Sequence, residues 1–236
     1  MKYIGGKTRH AKELLPIILK NRKPWQFYVE PFVGGFNMID KVDGLRIAND
    51  NHYYLIELFR AIQYWWEPPE NLSCDEYYEL KNNKEKYMPR LVGFAGFGCS
   101  FAAKWFGGYA RGNKKNGMAR NYCLENRNAL IAQSEKIQGI EIHNLNYWDL
   151  NIPPKSLIYC DPPYANTQKY LTTFNTKFFW EWCTQMVNDG HTVFVSEYTA
   201  PDNWECIWNK HVYNTLDLNT GAKKGVEKLF TLKKEK

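Results

Sequence analysis

Residues Ser156 to Tyr164, reading S-L-I-Y-C-D-P-P-Y, constrain this chain more than any other stretch. Leu157-Ile158-Tyr159-Cys160 is an uninterrupted apolar run of strand length, the pattern of a strand buried on both faces. A turn signal, Pro153-Pro154-Lys155, precedes it. The strand must stop at Asp161, because two consecutive prolines cannot donate to a sheet ladder and fix φ as the chain leaves. The sequence therefore predicts a carboxylate held rigidly at the carboxyl end of a central strand. Open α/β sheets bind their ligands at that edge.

The rest of the chain supplies the other strands of such a sheet. Phe27–Glu30 reads as a short buried strand that ends in Pro31-Phe32-Val33-Gly34-Gly35-Phe36-Asn37, with a helix expected from Met38 to about Val42. Strand, glycine turn and helix in this order can cradle a nucleotide, and they also make an ordinary β–α turn. A second strand, Leu45–Asn49, ends at Asp50. An acid there can fix two ribose hydroxyls, or can cap the following helix, Tyr53–Tyr64. Both readings stand on spacing alone. Further strands are expected at Glu141–Leu145, His191–Ser196, Ile207–Leu218 and Val226–Leu232, the last two as a closing pair. Helices are expected at Arg9–Leu19, Arg127–Ile137 and Phe174–Val187.

Between about Glu70 and Glu135 the β–α rhythm disappears. A Lys/Glu-rich helical piece, Tyr77–Tyr87, precedes a segment dense in glycine and aromatics, Leu91–Gly112. There Lys104, Arg111, Lys114, Lys115 and Arg120 alternate with Trp105, Phe106 and Tyr109. Cations with aromatic rings suit phosphate neutralisation and stacking against bases. A Gly-rich packing segment followed by a charged loop has the same composition.

The net charge of +6 fits a polyanionic partner without demanding one. The six cysteines form no C-x-x-C and have no histidine at ligand spacing, which argues against structural zinc and for a reducing, cytoplasmic compartment. No apolar run reaches membrane-spanning length, so no membrane partner is expected. A monomer is the default.

The D-P-P-Y constellation suits one chemistry in particular. An aromatic exocyclic amine is a poor nucleophile because its lone pair is delocalised into the ring. Asp161 can accept one N–H of such an amine and the carbonyl of Pro162 the other, which favours a pyramidal nitrogen. Tyr164 can stack on the base. Catalysis would then rest on positioning and preorganised acceptors. Ala165–Thr173 reads as a polar loop able to close over a substrate.

Four stations in order resemble the DNA adenine-N6 methyltransferases of the Dam-like, D12 class. They are K-Y-I-G-G-K at Lys2–Lys7, V-E-P-F-V-G-G at Val29–Gly35, N-D-N at Asn49–Asn51 and D-P-P-Y at Asp161–Tyr164. The resemblance implies a Rossmann-like methyltransferase sheet with an inserted target-recognition region. The catalytic part would be residues 1–66 and 140–236, and the insertion 70–135. It implies S-adenosyl-L-methionine as methyl donor, no metal, and double-stranded DNA as partner. By position, Tyr3 and Lys7 would contact the cofactor, Phe32 and Gly34 line its pocket, and Asp50 hold the ribose. Asp149 would lie near the cofactor's adenine, and Asp161 and Tyr164 would hold a flipped target base.

Two departures stand out. Phe36 replaces the commoner glycine, which leaves open a reshaped cofactor pocket or a non-catalytic nucleic-acid binder. Tyr3 replaces the commoner tryptophan. The same geometry would also serve cytosine-N4 or adenine in RNA, although the cytosine group more often has Ser at the position of Asp161.

Overall fold

A computed structural model describes residues 1–113, 116–163, 174–213 and 224–233. Its centre is a seven-stranded sheet. The strands are β1 (Tyr28–Glu30), β2 (Arg46–Asn49), β3 (Glu141–His143), β4 (Leu157–Cys160), β5 (Thr192–Ser196), β6 (Trp204–Tyr213) and β7 (Lys224–Leu232). Their order is β3-β2-β1-β4-β5-β7-β6. The first five run parallel. β7 enters antiparallel between β5 and β6, so the closing pair is a hairpin whose second strand is the inner one. The sheet grows from β1 in one direction to β2 and β3, then restarts on the other side of β1 with β4. A crevice at the carboxyl ends of β1 and β4 follows from that reversal.

β4 is buried along its whole length, as its apolar run requires. Its side chains alternate between two cores. Leu157 and Tyr159 join the cluster that holds Tyr28, Ala48 and α2 (Tyr53–Gln63). Ile158 and Cys160 join Val29, Ile47, Val193 and Val195 beneath α6 (Thr176–Asn188). The period of two along each strand thus fills both faces of the sheet.

Three helices depart from the sequence expectation. After the glycine turn only a single 3-10 turn forms, Ile39–Lys41. Gly34 (φ +50°) and Phe36 (φ +58°) both sit in the left-handed region, and Val42 is already extended, so no helix can propagate. The Lys/Glu-rich helix is Cys74–Asn82, started by a capping box in which the Ser73 side chain accepts from Glu76 N–H and Glu76 accepts from Ser73 N–H. The helix expected from Arg127 begins earlier, spanning Tyr122–Ser134, because the Asn121 side chain caps it through Leu124 N–H.

The inserted segment shares the core of the sheet. Tyr77, Leu80, Val92, Phe94, Phe97 and Leu130 are buried in the same cluster as Tyr28 and Leu58. Helix Pro89–Gly93 runs on into a π-helical stretch, Phe94–Gly98. A Cβ at Gly93 would lie 2.1 Å from the carbonyl oxygen of Tyr54, so glycine is what lets this helix rest directly on α2. The scattered cysteines conceal one pair. Cys99 and Cys123, Cα atoms 4.9 Å apart, form a disulfide that ties the π-helical stretch to helix Tyr122–Ser134. The reducing-compartment expectation did not include it. Among the described residues no helix is long and apolar enough to cross a membrane.

Candidate active site

The carboxyl edge of the sheet is fastened by one buried amide. Asn49 Nδ2 donates to the carbonyls of Pro31 and Leu145, each at 3.0 Å, and its Oδ1 accepts from Leu145 N–H at 3.0 Å. One side chain therefore fixes the loops leaving β1 and β3 relative to the end of β2. Val33 N–H donates to the Asn49 carbonyl at 2.8 Å, and Asn144 Nδ2 donates to that of Asp50 at 2.8 Å.

Asp50 stands on this frame. Its Oδ2 accepts from Gly34 N–H at 3.1 Å and its Oδ1 from His52 N–H at 2.9 Å. The glycine turn after β1 is thereby pinned to the acid after β2. The cap of α2 is His52, whose Nδ1 accepts from Leu55 N–H at 3.3 Å. Burial raises the Asp50 pKa against the pull of those two N–H groups. Burial lowers that of His52 to about 4, so its imidazole is neutral and free to accept.

The glycines are required by close approach. The amino-terminal segment lies against the turn after β1. A Cβ at Gly34 would fall 2.7 Å from Tyr3 Cε1, and one at Gly35 would fall 2.6 Å from Tyr3 Cβ. Tyr3 in turn meets Phe97 of the insertion, ring centroids 5.5 Å apart. Phe36 does not line this crevice. Its ring is fully buried and stacked on Phe59 of α2 at 4.0 Å, so the bulk that replaces a glycine is taken up by the core.

Lys7 meets two carboxylates that its sequence neighbours do not announce. It is 5 % exposed, and its Nζ lies 3.0 Å from Asp161 Oδ1 and 3.3 Å from Glu227 Oε2. Burial works against the ammonium, but the two carboxylates outweigh it and hold the lysine above its ordinary value. The acid after β4 thus begins in an ion pair with a buried lysine, shared with an acid of β7. Nothing local marks Glu227, since only the antiparallel entry of β7 beside β5 brings it here. Glu30, at the end of β1, is a second residue that spacing did not single out. Burial holds it well above the usual carboxylate range, and it accepts from the Tyr28 hydroxyl at 2.9 Å.

Phe32 packs against two other rings, 4.9 Å from Tyr147 and 5.6 Å from Phe179. Asp149 is exposed at the end of a 3-10 turn after β3 and accepts from Asn146 Nδ2 at 3.0 Å. Pro162 is buried beside Asp161. Tyr164 and the loop Ala165–Thr173 lie outside the described residues.

The insertion reads differently in three dimensions. Phe106 is buried, and Trp105 packs among Phe97, His52 and Tyr54, directly over Gly96. The aromatics of this stretch are largely internal packing. Lys104 and Arg111 are exposed, Arg111 leaning over the Tyr109 ring. Arg120 is held by Glu125, with Nε 2.9 Å from Oε1 and Nη2 2.5 Å from Oε2. Lys114 and Lys115 lie outside the described residues. Among the described residues no three His, Cys, Asp or Glu side chains converge as a metal site.

The model of a family described as D12 class N6 adenine-specific DNA methyltransferase matches residues 3–200. A curated relative, Modification methylase StsI of Streptococcus sanguinis, is 27% identical over 192 residues. The match covers 71% of this chain and 28% of that protein's length.

Proposed function

This chain belongs to the D12 class N6 adenine-specific DNA methyltransferase family, and on that premise we propose that it methylates the exocyclic amine of adenine in double-stranded DNA, with S-adenosyl-L-methionine as donor. The observation that carries the proposal is the Asp161-Pro162 pair on the central strand, beside the glycine turn of β1 at the reversal point of the sheet.

The residues present fit the cofactor. Each oxygen of Asp50 takes one backbone N–H and keeps lone-pair capacity for a ribose hydroxyl. The packed glycines bring backbone, not side chain, to the mouth of the crevice. Tyr3, Phe32, Gly34, Asp50 and Asp149 would hold it, with Lys7 at its inner edge. Bound there, it supplies an electrophilic methyl on a sulfonium sulfur.

The chain's own part is to prepare the amine. A target base must leave the stack for its amino group to be reached in line. Tyr164 would stack on it. The carboxylate of Asp161 accepts one amine N–H and the carbonyl of Pro162 the other, so the nitrogen lone pair turns toward the methyl. Transfer of the methyl would break its bond to sulfur, leave a neutral thioether and put positive charge on the amine nitrogen; the Asp161 carboxylate would stabilise that charge before the extra proton leaves to solvent. No covalent enzyme intermediate is needed. The insertion, residues 70–135, would contact the duplex. Arg120 is already neutralised by Glu125, so phosphate contact falls to Lys104 and Arg111 with Lys114 and Lys115.

Incubation with methyl-labelled S-adenosyl-L-methionine and unmethylated DNA, followed by nucleoside mass spectrometry, tests the reading. Labelled N6-methyladenine that disappears in Asp161→Ala supports it. N4-methylcytosine in its place, or no methylated nucleoside, overturns it.

A further inference from the structure

Lys7 poses a problem for the chemistry just proposed. An ammonium 3.0 Å from Asp161 occupies part of the very group that must accept the substrate's N–H. A carboxylate that donates its lone pairs to a lysine is a poorer acceptor for a weakly acidic amine. Resting on the methyltransferase reading, we propose that Glu227 is a positioning residue for methyl transfer: by sharing Lys7 it keeps Asp161 held in place yet still anionic enough to orient the amine.

The geometry is that of one cation between two anions. Lys7 Nζ reaches both carboxylates at nearly equal distance, and Asp161 and Glu227 are only 20 % and 14 % exposed. Water therefore screens the three charges weakly. Two carboxylates and one ammonium sum to −1 across these three side chains. Without Glu227 the remaining pair would be neutral, and Lys7 would bind Asp161 undivided.

Among the described residues, several other titratable groups surround these three. Burial raises the carboxyl of Glu30 on β1 well above the usual range. The phenols of Tyr159 on β4 and Tyr198 after β5 are pushed upward, mainly by burial, and stay protonated. Burial pushes His10 downward, so it is neutral above its titration. Glu197 turns a carboxylate oxygen to Tyr198 N–H at 2.6 Å. Lys210 on β6, which faces the strand of Glu227, is paired with Glu13.

Three variants decide the matter: Glu227→Gln, Lys7→Met, and the two combined. Glu227→Gln should lower kcat at saturating cofactor by about tenfold or more while cofactor Kd stays within about twofold. The acid limb of its kcat profile should move to lower pH, and that of Lys7→Met to higher pH. The double variant also removes the ammonium that draws on Asp161, so its kcat should exceed that of Glu227→Gln. Unchanged kcat in Glu227→Gln, or losses that simply multiply in the double variant, would overturn the proposal, because a merely structural contact predicts either. Carbon-13 NMR titration of the Asp161 carboxyl in the free protein gives a readout independent of turnover. It should shift down in Glu227→Gln and up in Lys7→Met; a static midpoint refutes the charge sharing. If wild-type protein methylates no DNA, the functional reading fails, and the titration still decides the charge network.

Discussion

Replacing Gly34 by alanine should separate two costs that glycine avoids at once. The first is conformational. At φ +50° an L-residue is strained by about 1–2 kcal/mol. The second is steric. The new Cβ would lie 2.7 Å from Tyr3 Cε1 and 3.1 Å from Cδ1, so the ring must shift within a packed contact. Such overpacking costs about 1–3 kcal/mol, which brings the total to roughly 2–5 kcal/mol. Gly35→Ala meets a different part of the same residue, 2.6 Å from Tyr3 Cβ, and its backbone is not left-handed. Truncating Tyr3 to alanine removes the ring but keeps the Cβ. Urea unfolding of the two double-mutant cycles should therefore differ. Gly34→Ala should become cheaper by about 1–3 kcal/mol in the Tyr3→Ala background, while Gly35→Ala should be nearly as costly as before. Equal coupling in both cycles, or none at Gly34, would refute the docking of the amino-terminal segment on this turn.

Other outcomes follow from the same geometry. Asn49→Ala strands three backbone groups, one buried and two partly buried, and should cost about 2–3 kcal/mol by chemical denaturation; a loss under about 1 kcal/mol would contradict its role as the fastener of three loops. His52 has a folded pKa near 4 against 6.5 unfolded, so its contribution is complete above pH 6.5 and is lost as pH falls toward 4. After discounting for partial exposure this is worth roughly 2 kcal/mol, and His52→Asn, which keeps a capping acceptor, should flatten that limb of the stability profile. Phe36→Ala should cost about 3–5 kcal/mol in stability and leave cofactor Kd nearly unchanged in the folded protein, measured by calorimetry. Lys104→Ala or Arg111→Ala should weaken DNA binding and flatten its salt dependence by about one phosphate contact, whereas Arg120→Ala, already paired with Glu125, should change neither.

What could be read in advance had a local cause. An all-apolar strand followed by two prolines has few conformations open to it, so β4 and the place of Asp161 were legible from residues alone. Glycine pairs likewise announced a close approach, though not that Tyr3 would be the neighbour. Lys7 and Glu227 were illegible as partners because 220 residues separate them, and only a long-range antiparallel strand brings them together. The Gly-aromatic run misled for a related reason. Spacing cannot tell an aromatic ring offered to a ligand from one laid over a distant glycine, and Trp105 over Gly96 is the latter. The helix expected after the glycine turn failed at Phe36, whose left-handed backbone is invisible in a residue that rarely adopts it.

The seat of Gly93 on the Tyr54 carbonyl has a mechanical consequence. Tyr54 is the second residue of α2, just past the turn where Asp50 and His52 hold the glycine loop. There is no soft joint between that turn and the helix resting on it. A push on the insertion is borne by the first turn of α2 as a beam bears on its post, and it arrives four residues from Asp50.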